Sequence, residues 1–163
     1  MTSMSSAAQP VINRSTSVQD LAALPVSAVM VCDVPVVDGH DPLVEVWQRL
    51  HDLDSPVAVV RDGTRVVAVV SQRTLAMWWP SGGPCQMRRC QVRDVIDPGI
   101  PTVHPHTSVR EAAELISNFG LEGVPVVTAG GAQLGVVTLS ELVRLLAESI
   151  PAAKAHGQPD KLQ

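Results

Sequence analysis

A pattern of residues in the first half of the chain recurs in the second half after 66 or 67 residues. The matched pairs are Pro35 with Pro101, Glu45 with Glu111 and Leu50 with Ile116 at a spacing of 66, then Gly63 with Gly130, Val69 with Val136 and Ser71 with Thr138 at 67. One inserted residue accounts for the change in spacing. Two copies are too few for an elongated solenoid, so we expect the halves to pack on each other as one pseudo-symmetric pair.

Each half predicts the same order of elements: strand, helix, strand, strand, helix. In the second copy, apolar runs at 124–127 and 134–137 flank a Gly-containing turn, which predicts a hairpin of buried strands. Apolar residues then recur at helical spacing from Leu139, so a helix should begin where the second strand ends. In the first copy, apolar runs at 57–60 and 66–70 predict the equivalent hairpin.

A short strand and a helix precede each hairpin. A strand at 34–37 is followed by a helix for which Asp41 is the expected cap and Pro42 the first-turn residue. A strand at 100–103 is followed by a helix that Ser108 should cap. The chain therefore belongs to the α/β (α+β) class, with two β-α-β-β-α repeats.

These elements divide the chain into five segments. They are an N-terminal tail with a short helix (1–25), the first repeat (26–80), a connector (81–91), the second repeat (92–148) and a C-terminal tail (149–163). An apolar share of 45% with only 2% aromatic residues indicates a core of Val, Leu, Ile and Ala, which suits buried strands.

Composition argues against several classes of function. The net charge of −4 provides no basic field for nucleic acid, and the basic residues are scattered apart from Arg88, Arg89 and Arg93. No apolar run approaches the ~20 residues of a membrane helix, and no signal peptide is apparent, so we expect no membrane association. Three cysteines, with Cys85 and Cys90 too far apart for a C-x-x-C motif, favour a reducing, cytoplasmic location.

Thr138 and Glu141 are the strongest candidates for ligand contacts. They place a hydroxyl and a carboxylate at the start of the last helix, where free backbone N–H groups favour anions. The same spacing is that of a capping box, which is a purely structural device. Spacing alone does not separate the two uses.

Other side chains allow a functional and a structural interpretation. His104 and His106 lie on one side of an extended segment, but no further ligand accompanies them, so we expect surface residues and no metal site. Trp78 and Trp79 point in different directions on a helix, so one of them either anchors a dimer or lies half-exposed beside the core. No phosphate loop, nucleophile elbow or metal triad occurs, so we do not expect an enzyme.

The stretch GVPVV, a turn and LGVVTLSEL, preceded by VRDVIDPGIPTVHPHTSVREAAELI, resembles the CBS (cystathionine β-synthase) domain family. The first half, SAVMVCDVPVVDGHDPLVEVW through VAVVSQRTL, resembles it more weakly. The resemblance implies a tandem, Bateman-type module that is usually dimerised. It also implies regulation or sensing, because these domains have no catalytic machinery of their own.

The resemblance further implies a ligand: many members bind AMP, ADP, ATP or S-adenosylmethionine, and no other cofactor is expected. By position, the second cleft would use Thr138 for phosphate, Glu141 for ribose, and Thr102, Val124 and Pro125 around the base; the first would use Ser71 with Val36, Val57 and Ala58. Glu141 is one methylene longer than the usual Asp, and Thr74 replaces the acid of the first cleft. If only one cleft binds a nucleoside, the second is expected.

Two functions of different classes follow. The first is a stand-alone regulatory module that binds an adenosine-containing ligand and passes the change to an effector protein. The second is a ligand-free, dimeric interaction scaffold that has kept the fold and lost the acidic signature. A metal-dependent enzyme without a recognisable motif is a remote third.

Overall fold

The computed structural model describes residues 17–78, 89–97 and 99–150, and the observations below concern these residues. The elements are α1 (Val18–Ala23), a 3-10 turn (Val26–Ala28), β1 (Val36–Asp38), α2 (Leu43–Asp52), β2 (Val57–Asp62), β3 (Arg65–Ser71), α3 (Gln72–Met77), a 3-10 turn (Val92–Asp94), α4 (Val109–Phe119), β4 (Gly123–Val127), β5 (Gln133–Thr138) and α5 (Leu139–Ser149). The predicted fold class is confirmed.

The first repeat contains a three-stranded sheet covered by α2 and α3. β1 pairs parallel to β2, and β2 pairs antiparallel to β3. α2 buries Leu43, Val46 and Leu50, which recur at helical spacing and so form one apolar stripe toward the sheet. The predicted hairpin and helix are therefore confirmed in this half.

The prediction that Asp41 caps α2 is wrong. Pro42 occupies the cap position in an extended conformation and makes no side-chain capping bond. The Asp41 carboxylate instead turns back and accepts a hydrogen bond of 2.8 Å from the Asp38 backbone N–H. Asp41 thus closes the turn between β1 and α2, and the helix begins one residue later than expected.

The second repeat contains the predicted hairpin of β4 and β5, with α4 and α5 packed beside it. Ser108 caps α4, and Gly120 ends it with a left-handed conformation (φ 63°) that glycine adopts without strain. Most of the hairpin is buried, including Val124, Val126 and Val137.

The strand predicted at 100–103 does not form. Val103 makes a single parallel bridge to Val126, in which its N–H donates to the Pro125 carbonyl and its carbonyl accepts from Val127. Extending this ladder in either direction would require an N–H from Pro105 or Pro125, and proline has none. The pairing therefore stops after one residue.

In the first repeat, the positions that match Pro125 and Pro105 are occupied by residues that have an N–H group. At the matching positions Val59 donates to the Pro35 carbonyl at 2.9 Å, and Gly39 donates to the Arg61 carbonyl at 3.0 Å. These two bonds extend β1, so the same element is a strand in one repeat and an isolated bridge in the other.

The segment at the start of each repeat packs against the other repeat. We call residues 24–31 the first lead-in and residues 90–97 the second lead-in. Three hydrogen bonds from each are related by the repeat: Val109 N to Leu24 O, Val26 N to Thr107 O and Ser27 N to Pro105 O match Leu43 N to Cys90 O, Val92 N to Asp41 O and Arg93 N to Gly39 O. The two halves are therefore linked reciprocally, as the internal symmetry predicted.

Each hydrophobic core contains side chains from the lead-in of the other repeat. Val26 and Val29 of the first lead-in pack in the core of the second repeat, and Val92 of the second lead-in packs in the core of the first. A smaller cluster joins the two sheets across the pseudo-twofold axis. Its buried members are Val34, Val57, Val59, Val66, Val127 and Val136.

The N-terminal helix belongs to this arrangement as well. Ser17 and Asp20 form a capping box at the start of α1, and Leu21 is buried against α4 and α5. Residues 1–16, 79–88 and 151–163 lie outside the described part of the chain, so the predicted tails and most of the connector are not tested.

Candidate functional site

Thr138 lies at the second junction between a sheet and a helix, where β5 ends and α5 begins. Its hydroxyl accepts a hydrogen bond of 3.2 Å from the Glu141 N–H, and the residue is 5% exposed. An accepted bond leaves the hydroxyl proton free, and no acceptor in the described residues takes it. Thr138 therefore caps the helix and keeps one donor.

Glu141 does not complete the capping box that its spacing allows. Its carboxylate accepts from the Arg144 guanidinium, whose other arm donates to Glu148 at 2.7 Å. These hydrogen bonds, with Glu141 first, raise the pKa of Arg144 above its usual value. The carboxylate is 19% exposed, so Arg144 holds it in a fixed position beside the junction.

The first junction, where β3 ends and α3 begins, has Thr74 at the position that Glu141 occupies in the second. Ser71 caps α3 by accepting from the Thr74 N–H at 3.0 Å, and the two side-chain oxygens lie 3.1 Å apart. Ser71 is 4% exposed. This junction therefore has the same cap as the second one but lacks a carboxylate at the matching position.

A groove of about 670 Å³ runs between the repeats beside both junctions. Arg73 and Thr74 line it from the first repeat, and Glu122 and Leu139 line it from the second. Across the groove Arg73 Nη1 lies 3.8 Å from Glu122 Oε1, an exposed pair that contributes little to stability. The groove is polar at this end and apolar along α5.

The predicted base-lining residues are divided among different places. Val57, Ala58, Val124 and Pro125 are buried, and the side chains of Ala58 and Val124 pack in the two cores. In the strand register Val57 lies opposite Ser71, and Gly123, next to Val124, lies opposite Thr138. These positions are therefore adjacent to the junctions, but their side chains are occupied by packing.

Val36 and Thr102 line two further grooves that are related by the repeat. Val36 faces the β4–β5 turn in a groove of about 560 Å³, and Thr102 faces Arg65 and Val66 of the other hairpin in a groove of about 420 Å³. Neither groove is lined by Ser71 or Thr138. The structure thus does not bring Val36 and Thr102 together with the junction hydroxyls in one groove.

Arg73 and Glu122 line the groove but were not predicted as site residues from the sequence. Arg73 lies between the two matched hydroxyl positions Ser71 and Thr74, and Glu122 directly precedes β4. Neither belongs to a spacing motif, and only the packing of the halves brings them within 3.8 Å.

The histidines, the tryptophans and the other residues considered in the sequence analysis lie outside this groove or outside the described residues. His104 Nδ1 lies 3.2 Å from the Val127 carbonyl oxygen. Within the described ranges no three His, Cys, Asp or Glu side chains are grouped to hold a metal, and no helix there is long and apolar enough to cross a membrane. Trp78 ends α3 and is 55% exposed, whereas Trp79, Cys85 and Arg88 lie outside the described residues.

Comparison with known proteins identifies relatives of the whole arrangement. The family model described as CBS domain matches twice, at residues 26–80 and 92–148. No curated protein sequence matches the chain. Among solved structures, a conserved CBS domain protein of unknown function from Thermoplasma acidophilum is 25% identical, with a TM-score of 0.66 over 77% of this chain and 72% of that one.

Two further solved structures share the fold. The CBS domain pair of protein MJ0100, in complex with 5'-methylthioadenosine and S-adenosyl-L-methionine, is 16% identical, with a TM-score of 0.66 over 78% of this chain and 98% of that one. CBSX2, in complex with AMP, is 23% identical, with a TM-score of 0.60 over 76% and 96%.

Proposed function

Because this chain belongs to the CBS domain family, we propose that it is a regulatory module that binds an adenosine-containing ligand beside the junctions between its sheets and helices. The observation that carries the proposal is the second junction, where the Thr138 hydroxyl keeps a free proton and the Glu141 carboxylate is hydrogen-bonded to Arg144. Leu139, which lies between them in the chain, lines the groove between the repeats, whereas Thr138 and Glu141 do not.

The chemistry of these groups suits a nucleoside. A carboxylate accepts hydrogen bonds at both oxygens, which matches the two adjacent hydroxyls of a ribose. The Thr138 hydroxyl can donate to a ligand oxygen while it still accepts from Glu141 N–H. Adenosine compounds bound to two proteins of the same fold support this choice of ligand.

A ligand panel tests the proposal. We expect AMP, ADP, ATP or S-adenosylmethionine at 100 times its dissociation constant to add about 2.7 kcal/mol to the free energy of unfolding. For a chain of this length that raises the melting temperature by roughly 5–11 °C. No shift with any of the four would contradict the proposal.

Variants of Glu141 test whether its carboxylate contacts the ligand. Glu141→Asp keeps a carboxylate and should keep affinity, whereas Glu141→Ala should abolish it. Glu148→Ala is the matched control, because it removes the other partner of Arg144 at the far end of α5 from the junction. Equal affinity in all three variants would remove Glu141 from the site.

A second candidate function is a homodimeric interaction scaffold, and exposed apolar side chains favour it. Met77, Trp78 and Val143 are each more than half exposed on α3 and α5. One such patch suffices for a twofold dimer, because the same surface serves on both subunits. Met77 and Val143 also line the groove between the repeats.

Light scattering at micromolar concentration tests the dimer. The native chain should have twice the mass of one subunit, and Val143→Asp should reduce it to one. Leu53→Asp is the control, since Leu53 is equally exposed but lies after α2. A native monomer would contradict the dimer. The effector protein and the cytoplasmic location stay predictions.

A further inference from the structure

We propose that Arg144 is a positioning residue, which fixes the Glu141 carboxylate in one orientation and thereby strengthens the binding of an adenosine ligand at the second junction. This inference rests on the proposed function, in which Glu141 contacts the ribose hydroxyls. It adds a residue that acts through Glu141 and does not itself touch the ligand.

The Arg144 guanidinium holds the Glu141 carboxylate through more than one nitrogen. Nε donates to Oε1 at 3.0 Å and to Oε2 at 3.4 Å, and Nη2 also donates to Oε1. Because both nitrogens belong to one planar group, they restrain the direction of the carboxylate as well as its distance.

Arg144 is itself restrained from the other side. Its Nη1 donates to Glu148 Oε1 at 2.7 Å. Glu141, Arg144 and Glu148 follow each other at spacings of three and four residues, so they share one face of α5. The Arg144 side chain is 53% exposed, and ion pairs this exposed contribute little to stability. We therefore expect the network to act on the orientation of Glu141 more than on folding.

The hydrogen bonds from Arg144 leave one carboxylate oxygen for the ligand. Oε1 accepts from both Nε and Nη2, whereas Oε2 accepts only the long bond of 3.4 Å. Each carboxylate oxygen has two lone pairs, so Oε2 keeps most of its acceptor capacity. The ribose hydroxyls would therefore meet mainly Oε2, while Oε1 stays with Arg144.

A glutamate that is already fixed loses less conformational entropy when a ligand binds. Glutamate is among the side chains with the most rotamer freedom to lose. Immobilising one such side chain on binding weakens affinity by about 2- to 10-fold. Arg144 holds Glu141 before the ligand arrives, so that factor is the expected contribution of Arg144.

The first junction provides an internal comparison. Thr74 and Met77 occupy the positions that match Glu141 and Arg144 at the spacing of 67. Neither the carboxylate nor the guanidinium is present at these positions. Positioning by an arginine is therefore specific to the second repeat.

Titration calorimetry with AMP, ADP, ATP and S-adenosylmethionine tests the inference. Arg144→Gln removes the guanidinium and keeps a good helix former. We expect this variant to bind the compounds about 2- to 10-fold more weakly than the native chain does. Without ligand it should melt within about 4 °C of the native chain, because the lost ion pairs are exposed.

The 2',3'-dideoxy counterparts of the nucleotides separate positioning from a general structural role. They lack the ribose hydroxyls that Glu141 would bind. Their affinities should therefore agree within about twofold between the native chain and Arg144→Gln. A general distortion of the site would instead weaken both series of compounds equally.

Two further variants complete the experiment. Arg144→Lys keeps the positive charge but has no planar fork, so it should bind nearly as weakly as Arg144→Gln. Arg110→Gln is the matched control, because Arg110 is exposed on α4 and no ion pair within the described ranges includes it. It should bind as tightly as the native chain.

The outcomes separate this inference from the proposed function. If Arg144→Gln binds every compound as tightly as the native chain does, the role of Arg144 is overturned and the nucleoside module stays intact. Native affinity in Arg144→Lys, or an equal loss for a nucleotide and its dideoxy counterpart, likewise overturns positioning. No binding of any compound to the native chain overturns both proposals.

Discussion

Gly135 shows at the residue scale how the contact between the repeats dictates a side chain. An ideal Cβ at this position would lie 2.6 Å from the Val31 carbonyl oxygen and 3.2 Å from the Met30 side chain. Val31 cannot move away freely, because it exchanges two hydrogen bonds of 2.9 Å with Val136. The first lead-in therefore requires glycine at this point of β5.

We expect Gly135→Ala to lower the free energy of unfolding by about 1–3 kcal/mol, the usual cost of an atom forced into a packed region. Gly130→Ala is the matched control. A Cβ there would meet only Thr128 Oγ1 at 3.8 Å, so the change should stay below about 1 kcal/mol. Urea denaturation measures both, and equal values would contradict the explanation.

At the scale of elements, the start of α4 carries a complete capping box. Glu111 accepts hydrogen bonds from the Ser108 N–H at 2.9 Å and from its hydroxyl at 2.8 Å. These bonds, the backbone one first, hold the pKa of Glu111 below its ordinary value of 4.5. Folding therefore favours the ionised carboxylate, so its stabilisation is complete above that value and is lost as the pH falls through the lowered pKa.

We expect Glu111→Ala to melt at a lower temperature than the native chain at pH 7, and the two curves to converge below pH 4.5, the ordinary value. Glu114→Ala, on the same helix but outside the cap, should show no such convergence. Calorimetry across this pH range measures the difference. A gap between native chain and Glu111→Ala that is independent of pH would exclude the capping carboxylate as its cause.

At the scale of the whole molecule, segments that precede the first repeat in the chain pack against the second repeat. α1 precedes the first repeat, yet Leu21 is 3% exposed against the helices of the second. The same holds for the first lead-in, whose Val26 lies in the second core. Each repeat therefore depends on a segment that the sequence assigns to the other side.

We expect Leu21→Ala to cost about 2–4 kcal/mol and to speed amide exchange in α4 and α5 more than in α2. Val18→Ala on the same helix removes a mostly exposed side chain and should change stability by less than about 0.5 kcal/mol. Native-state hydrogen exchange locates the effect. Faster exchange in α2 alone would contradict the assignment of α1 to the second repeat.

Periodicity predicted the helices and hairpins well, because these elements depend on residues a few positions apart. The stripe of α2 and the turn between β4 and β5 lie where the apolar pattern placed them. The strand at 100–103 failed because its pairing depends on which partner N–H groups exist. Pro125 lies in β4, so the pattern of residues 100–103 contains no information about the missing N–H of this partner.

The candidate site was predicted in part. The capping hydroxyls Ser71 and Thr138 are recognisable from their spacing, and both cap helices. The Arg73–Glu122 pair and the groove were not predictable, since they depend on how one half lies against the other.

The sequence by itself therefore determined two copies of one pattern, their helices and hairpins, and the hydroxyl at the end of each hairpin. Local spacing and residue type suffice for these features, because their hydrogen bonds join near neighbours. Only the tertiary structure decided that the lead-in segments exchange cores and that charged side chains face each other across the groove. Those contacts join residues distant in the chain, and no local pattern encodes which distant surface will be met.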